Sequence, residues 1–237
     1  MTKTIIAIGG GEIKNKTTLE IDGYVASLAK KHAGDTRANA LFIGTASHDS
    51  MPYFNSFRKT YTSVYDIKAE VALIVYGEMD AEKIRDKIEK ADCIYVGGGD
   101  TVYMLEKWKE TGIDLMLKKA YNDGKIICGL SAGAICWFTD MYSDSEIMHG
   151  QSSEYKMFKG LGIIDGAVSP HYNERVKDFD KVFGNSDFKQ AYGIENDCAL
   201  VFNDGVLKGC VSSGGKAYLL EKENGAIVKS EIKKINE

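Results

Sequence analysis

The sequence of 237 residues is poor in the features that would place it in a special environment. It contains two prolines, Pro52 and Pro170, and no low-complexity or proline-rich linker divides it. Five cysteines (Cys93, Cys128, Cys136, Cys198 and Cys210) are odd in number, scattered and mostly set in apolar stretches. None has C-x-x-C spacing, which argues against a zinc site and a disulfide framework and for free thiols in a reducing cytoplasm. No apolar run approaches the roughly 20 residues that a membrane-crossing helix needs. The first such run, Ile5 to Ile8, stops at Gly9-Gly10-Gly11, so no secretory leader is expected. Charge of neither sign dominates: 30 Lys and Arg against 34 Asp and Glu leave −4. Nucleic acid and anionic membrane are therefore not expected as partners.

What remains is an ordinary soluble composition, 44% apolar and 27% charged, in a chain long enough for one α/β domain over residues 1–237. Short β-branched runs alternate with helical patterns, as in a parallel sheet covered on both faces. The expected strands are 4–8, 40–44, 71–76, 93–96 and 126–129, with helices over 19–32, 51–62, 80–90, 101–111 and 113–122. A further helix is expected over 132–138. From about residue 163 short strands joined by Gly and Asn-Asp turns predict an antiparallel extension of one mixed sheet. Gly9–Gly11, Thr45–His48, Gly97–Thr101 and Ser131 all follow strand ends, where a doubly wound sheet binds its ligands.

Within that pattern Gly129-Leu130-Ser131-Ala132-Gly133 reads G-x-S-x-G between a strand and a helix. Such a turn exposes the serine hydroxyl at its apex, and glycines on either side avoid Cβ clashes. Backbone N–H groups of Gly98 or Gly99, with that of Ala132, are candidate oxyanion donors. The glycine runs match neither G-x-G-x-x-G nor G-x-x-x-x-G-K-[ST], since Lys14 stands where the first run would need its last glycine.

A serine hydroxyl needs a base. Of the four histidines, His171 follows Pro170 at a strand end and is the candidate. His48 follows the second strand and is a candidate for touching substrate. His32 lies among lysines and His149 in a polar loop. The group that orients the imidazole is sought in Gly193 to Asp197, or in Asp144 and Glu146 after the nucleophile helix. Arg175, four residues beyond His171, is a candidate to receive a substrate carboxylate.

The motifs Val96-Gly97-Gly98-Gly99-Asp100-Thr101, Gly129-Leu130-Ser131-Ala132-Gly133-Ala134, Gly160-Leu161-Gly162 and Ser169-Pro170-His171-Tyr172 occur in this order. In this the chain resembles the peptidase E family of serine peptidases, which includes aspartyl dipeptidases and, more distantly, cyanophycinase. The resemblance spans the chain from the first glycine run to about Phe202. It implies a three-layer, doubly wound, mostly parallel flavodoxin-like sheet, similar to the class I glutamine amidotransferases, with the antiparallel C-terminal extension. It implies Ser131 as nucleophile and His171 as base. Where many members carry a Glu, this sequence has Asn196, with Glu195 just before it. The expected activity is hydrolysis of small peptides, Asp-Xaa dipeptides among them, by a monomer or homodimer without metal or organic cofactor. The alternatives are an amidase or esterase on the same fold, a flavodoxin-like ligand-binding module, and a catalytically silent relative.

Overall fold

Apolar β-branched runs form strands where both faces can be covered, and the most apolar of them lie at the centre of this molecule. The computed structural model describes residues 2–77 and 79–235. The chain begins β1 (Thr4–Ile8), α1 (Leu19–Ala33), β2 (Asn39–Ile43), a 3-10 turn at Thr45–Ser47, α2 (Met51–Ser63), β3 (Lys68–Ala72) and α3 (Ala81–Lys90). It continues with β4 (Cys93–Val96), α4 (Thr101–Thr111), α5 (Ile113–Asn122), β5 (Ile126–Leu130), α6 (Ala132–Ile135), β6 (Phe138–Ser143) and α7 (Ser145–Met148). The last part is β7 (Lys156–Lys159), β8 (Ile164–Ser169), α8 (Tyr172–Gly184), β9 (Gln190–Ile194), β10 (Cys198–Asn203), β11 (Val206–Ser212), β12 (Ala217–Glu223) and β13 (Ala226–Glu231).

A seven-stranded sheet has the order β11-β10-β1-β5-β4-β2-β3. Its strands β1 to β5 are mutually parallel, and β10 and β11 add antiparallel beside β1. Side chains alternate across this sheet. Ile6, Ile8, Phe42, Tyr95 and Cys128 meet Val25 of α1 and Phe57 and Tyr61 of α2 on one face. Ile5, Leu41, Ile94 and Ile127 face Ile84, Met104, Trp108 and Leu117 of α3, α4 and α5 on the other. The result is three layers, the α/β architecture expected from the motif order.

Strand pairing is where the structure departs from the sequence reading. The C-terminal strands do not all extend one sheet. β8, β9, β12 and β13 join β6 and β7 in a second, six-stranded sheet of order β13-β12-β9-β8-β6-β7. Phe138, Val168 and Tyr192 of this sheet pack against Leu200 and Phe202 of β10, while α8 covers its other face through Phe179 and Phe183. The third strand lies at Lys68–Ala72 rather than 71–76, because β3 is an edge strand and tolerates Lys68 and Glu70 there. The helix after Ser131 ends at Ile135 rather than 138, since Phe138 already begins β6. Among the described residues, no helix is long and apolar enough to cross a membrane.

Candidate active site

The strand β5 delivers Ser131 into a backbone conformation that side chains rarely adopt, φ 50° and ψ −108°. Three hydrogen bonds hold it there. The Ser131 N–H donates to Ile8 O at 2.9 Å, and Ser131 O accepts from the N–H groups of Ala134 and Ile135, each at 2.9 Å. The flanking glycines serve as spacers between backbones. A Cβ on Gly129 would overlap Gly133, and one on Gly133 would overlap the Val96 carbonyl of β4. A strained residue so over-determined is a mark of function.

The glycine-rich exit from β1 gathers the other groups. Ile8 O holds Ser131, Gly9 O accepts from His171 N–H at 2.9 Å, and Gly10 O accepts from Asp197 N–H at 3.0 Å. Three consecutive carbonyls thus fix three distant segments. His171 caps α8 in the left-handed region, φ 48° and ψ 38°. Its Nε2 lies 2.9 Å from Ser131 Oγ, and its Nδ1 lies 2.6 Å from Asn196 Oδ1. Burial first, and then the nearby Arg175 guanidinium, lower the imidazole pKa below its ordinary 6.5. The ring is therefore neutral at pH 7 and able to accept a proton.

Ser131 and His171 open onto a cleft of about 400 Å³. Gly98, Gly99, Leu130, Tyr53, Glu12 and Lys14 are among the residues that line it. A Cβ on Gly98 would stand 3.5 Å from Ser131 Cβ, so the Gly97–Gly99 loop lies directly beside the nucleophile turn. The Gly98 N–H, however, donates to Tyr53 Oη at 3.3 Å. That engagement shifts the candidate oxyanion donors to the amides of Gly99 and Ala132.

Several expectations are corrected here. Glu195 is turned away from the histidine: its carboxylate accepts from Lys216 N–H at 2.9 Å across to β12. Arg175 does not line the cleft. It is buried, pairs with Asp144 at 3.1 Å and stacks 4.4 Å over the Tyr155 ring, so its guanidinium is engaged inside the protein and not offered to the cleft. Asp144 is thereby spent on Arg175, and Glu146 on Lys156. His48 packs against Tyr103, with ring centroids 4.3 Å apart, and is likewise outside the cleft. Among the described residues, no group of three or more His, Cys, Asp or Glu side chains is placed to hold a metal ion.

Other residues escape a reading by sequence. Glu12 and Lys14 bring opposite charges to the cleft, and nothing in their local sequence beyond the nearby Gly9–Gly11 run marks them. Gly10 backs the histidine: a Cβ there would overlap Asn196 Oδ1 and stand 2.5 Å from His171 Nδ1. Glu174 accepts from Asn196 Nδ2 at 2.6 Å.

A strained serine at the tip of a central parallel strand, beside a histidine, a glycine loop and a cleft, has the makings of an enzyme active site. Known proteins narrow the class. The profile of peptidase family S51 matches residues 5–209, and the chain belongs to that family. It is 32% identical over 222 residues to the uncharacterized peptidase YgaJ of Bacillus subtilis, covering 91% of each chain. It is 28% identical over 143 residues to peptidase E of Streptomyces coelicolor, covering 60% of this chain and 57% of that one. A crystal structure of a peptidase from an acI-B1 actinobacterium has the same fold, with a TM-score of 0.72 at 20% identity over 97% of this chain and 94% of the other. The protein is a peptidase.

Proposed function

We propose that the peptidase acts by serine acyl transfer on short peptides, with Ser131 as nucleophile and His171 as general base. The observation that carries this is the 2.9 Å contact between Ser131 Oγ and a neutral His171 Nε2 at the floor of the cleft. Ser131 Oγ attacks the scissile carbonyl as its proton passes to Nε2. The amides of Gly99 and Ala132 hold the carbonyl oxygen as it gains charge. His171 then returns the proton to the leaving amine, and the acyl-serine is hydrolysed by a water that the same nitrogen activates. Asn196 holds the imidazole through Nδ1; Glu195 is withdrawn from this role by its bond to Lys216.

The cleft is at the small end of ligand sites, which suits a di- or tripeptide rather than a folded protein. Its charges suit the same substrates. Glu12, which lines the cleft, is the candidate to receive a free amino terminus. Lys14, which lines the cleft, is the candidate to receive a carboxylate, the role that Arg175 cannot fill from its buried pair with Asp144. An Asp-Xaa preference would therefore depend on Lys14.

Intact-mass labelling with a fluorophosphonate tests the chemistry. Stoichiometric labelling of the native chain should vanish in Ser131→Ala and His171→Ala. Turnover of a dipeptide panel led by Asp-Xaa should fall on the order of 10⁴-fold or more in Ser131→Ala. A Ser131→Ala protein that keeps its turnover would reject the reading. Loss of the Asp-Xaa advantage in Lys14→Met, with other dipeptides unaffected, would assign the carboxylate contact.

A further inference from the structure

A carboxamide held between two partners can be turned over, and turning it exchanges an acceptor for a donor. This matters at Asn196. Were its NH₂ to face His171 Nδ1, that nitrogen would have to accept. The imidazole proton would then sit on Nε2, where it could not receive the proton of Ser131. The backbone contact from Asn196 N–H to Asn173 Oδ1, at 3.0 Å, holds the main chain but leaves the side-chain amide free to face either way.

The group that decides lies on the far side. Glu174 Oε1 is 2.6 Å from Asn196 Nδ2, and a carboxylate can only accept. With Nδ2 committed there, Oδ1 must face His171 Nδ1 at 2.6 Å, Nδ1 must carry the proton, and Nε2 is left with its lone pair toward Ser131 Oγ at 2.9 Å. We propose that Glu174 is a positioning residue for the peptidase reaction: its carboxylate sets the direction of the hydrogen bonds that run from Ser131 through His171 and Asn196. The proposal rests on the Ser131–His171 reading above.

Two further observations agree. Glu174 stands one turn into α8, whose cap is His171, and its N–H donates to His171 O at 2.9 Å. One helical turn therefore carries both groups in fixed relation. Glu174 also supplies what a neutral third member lacks. As His171 takes the serine proton, the imidazolium meets an amide dipole aligned by a negative charge behind it. The charged groups around the ring are Arg175 and Glu174, both from α8, and Asp144 from the loop after β6. Burial and Arg175 lower the imidazole pKa, while the bond to Asn196, Glu174 and Asp144 raise it.

An acidic side chain in the first turn of a helix also stabilises that helix, so stability measurements do not discriminate. Glu174→Gln does. Glutamine keeps the shape but offers both an oxygen and an NH₂, so the Asn196 amide is free to turn. Expected is a fall in kcat of about tenfold with KM changed less than about twofold. The acid limb of the pH profile should move to lower pH, since Arg175 then acts on His171 against Asp144 alone. In an Asn196→Asp background the sign should reverse. There Glu174 faces a second carboxylate, and Glu174→Gln should raise kcat. Equal losses in both backgrounds, or no loss in the native one, would overturn the proposal.

The His171 Hδ1 proton resonance gives a second readout that needs no substrate. It should be sharp and shifted to low field in the native chain, and broadened or displaced in Glu174→Gln. An unchanged signal would overturn the proposal. A changed signal in a protein that labels with no fluorophosphonate and turns over no peptide would reject the serine-peptidase reading, and with it the positioning role in that reaction, leaving only the ordering of the Asn196–His171 bond by Glu174.

Discussion

A methyl group at residue 10 would occupy the space where His171 and Asn196 meet, although both reach that point from far along the chain. Gly10→Ala is therefore expected to displace the imidazole by a fraction of an ångström to an ångström. Misplacement on that scale costs on the order of 10²-fold in rate, and because Gly10 is buried the same overlap also lowers stability. Fluorophosphonate labelling kinetics beside a thermal melt check this; native labelling rates in a folded Gly10→Ala protein would contradict it. His171 and Ser131 were legible as residues because local chemistry marks them, a proline before one and glycines around the other. Gly10 was not, since the pattern Gly9-Gly10-Gly11 reads as a turn until its opposite wall is known. Arg175 misled for a related reason. Proximity in sequence to His171 does not show that its side chain runs inward to Asp144.

Elements meet where side chains are absent. Gly133 in α6 lies against the carbonyl of Val96 in β4, and that backbone has no room to yield. Gly133→Ala should cost about 3 kcal/mol or more, read as a fall in denaturant midpoint at unchanged slope. Gly23, inside α1, is the contrast. A Cβ there would make an ordinary 3.5 Å contact with Tyr65, so Gly23→Ala should add about 0.5–1 kcal/mol through helix propensity. Equal effects at the two positions would refute the packing argument. The brevity of α6 has the same origin. The helix is pressed against β4, and Trp137 just beyond it donates back to Gly133 O at 2.8 Å before the chain enters β6. Periodicity over so few residues cannot separate a four-residue helix from a longer one. It also cannot say which sheet a strand joins, so a second sheet and an extension of the first look alike in sequence.

At the scale of the whole molecule, one buried charge ties stability to pH. Asp22 of α1 is fully buried, accepting from Thr18 Oγ1 at 2.8 Å and Tyr61 Oη at 3.2 Å. Desolvation outweighs these bonds and raises its pKa from 3.8 to about 7. Between those values the folded chain holds a proton that the unfolded chain has lost. The contribution is full below 3.8 and disappears as pH rises through about 7, a span of roughly 4 kcal/mol. Asp22→Asn cannot ionise. Its melting temperature should gain on the native one steadily from pH 4 to about 7 and then run parallel; a difference independent of pH would refute the assignment. The three-layer architecture itself was legible, because a central parallel sheet needs apolar strands between amphipathic helices and both patterns are local. What no local pattern shows is the closure of the site, in which the carbonyls of Ile8, Gly9 and Gly10 hold Ser131, His171 and Asp197. That closure has a consequence for biosynthesis. A ribosome delivers the anchoring carbonyls well before Asn196 and the strand β10 that docks beside β1. Until that segment has emerged and folded back, Gly10 O lacks its contact with Asp197 and His171 Nδ1 its contact with Asn196, so the earlier part of this peptidase is made with the cleft unfinished beside it.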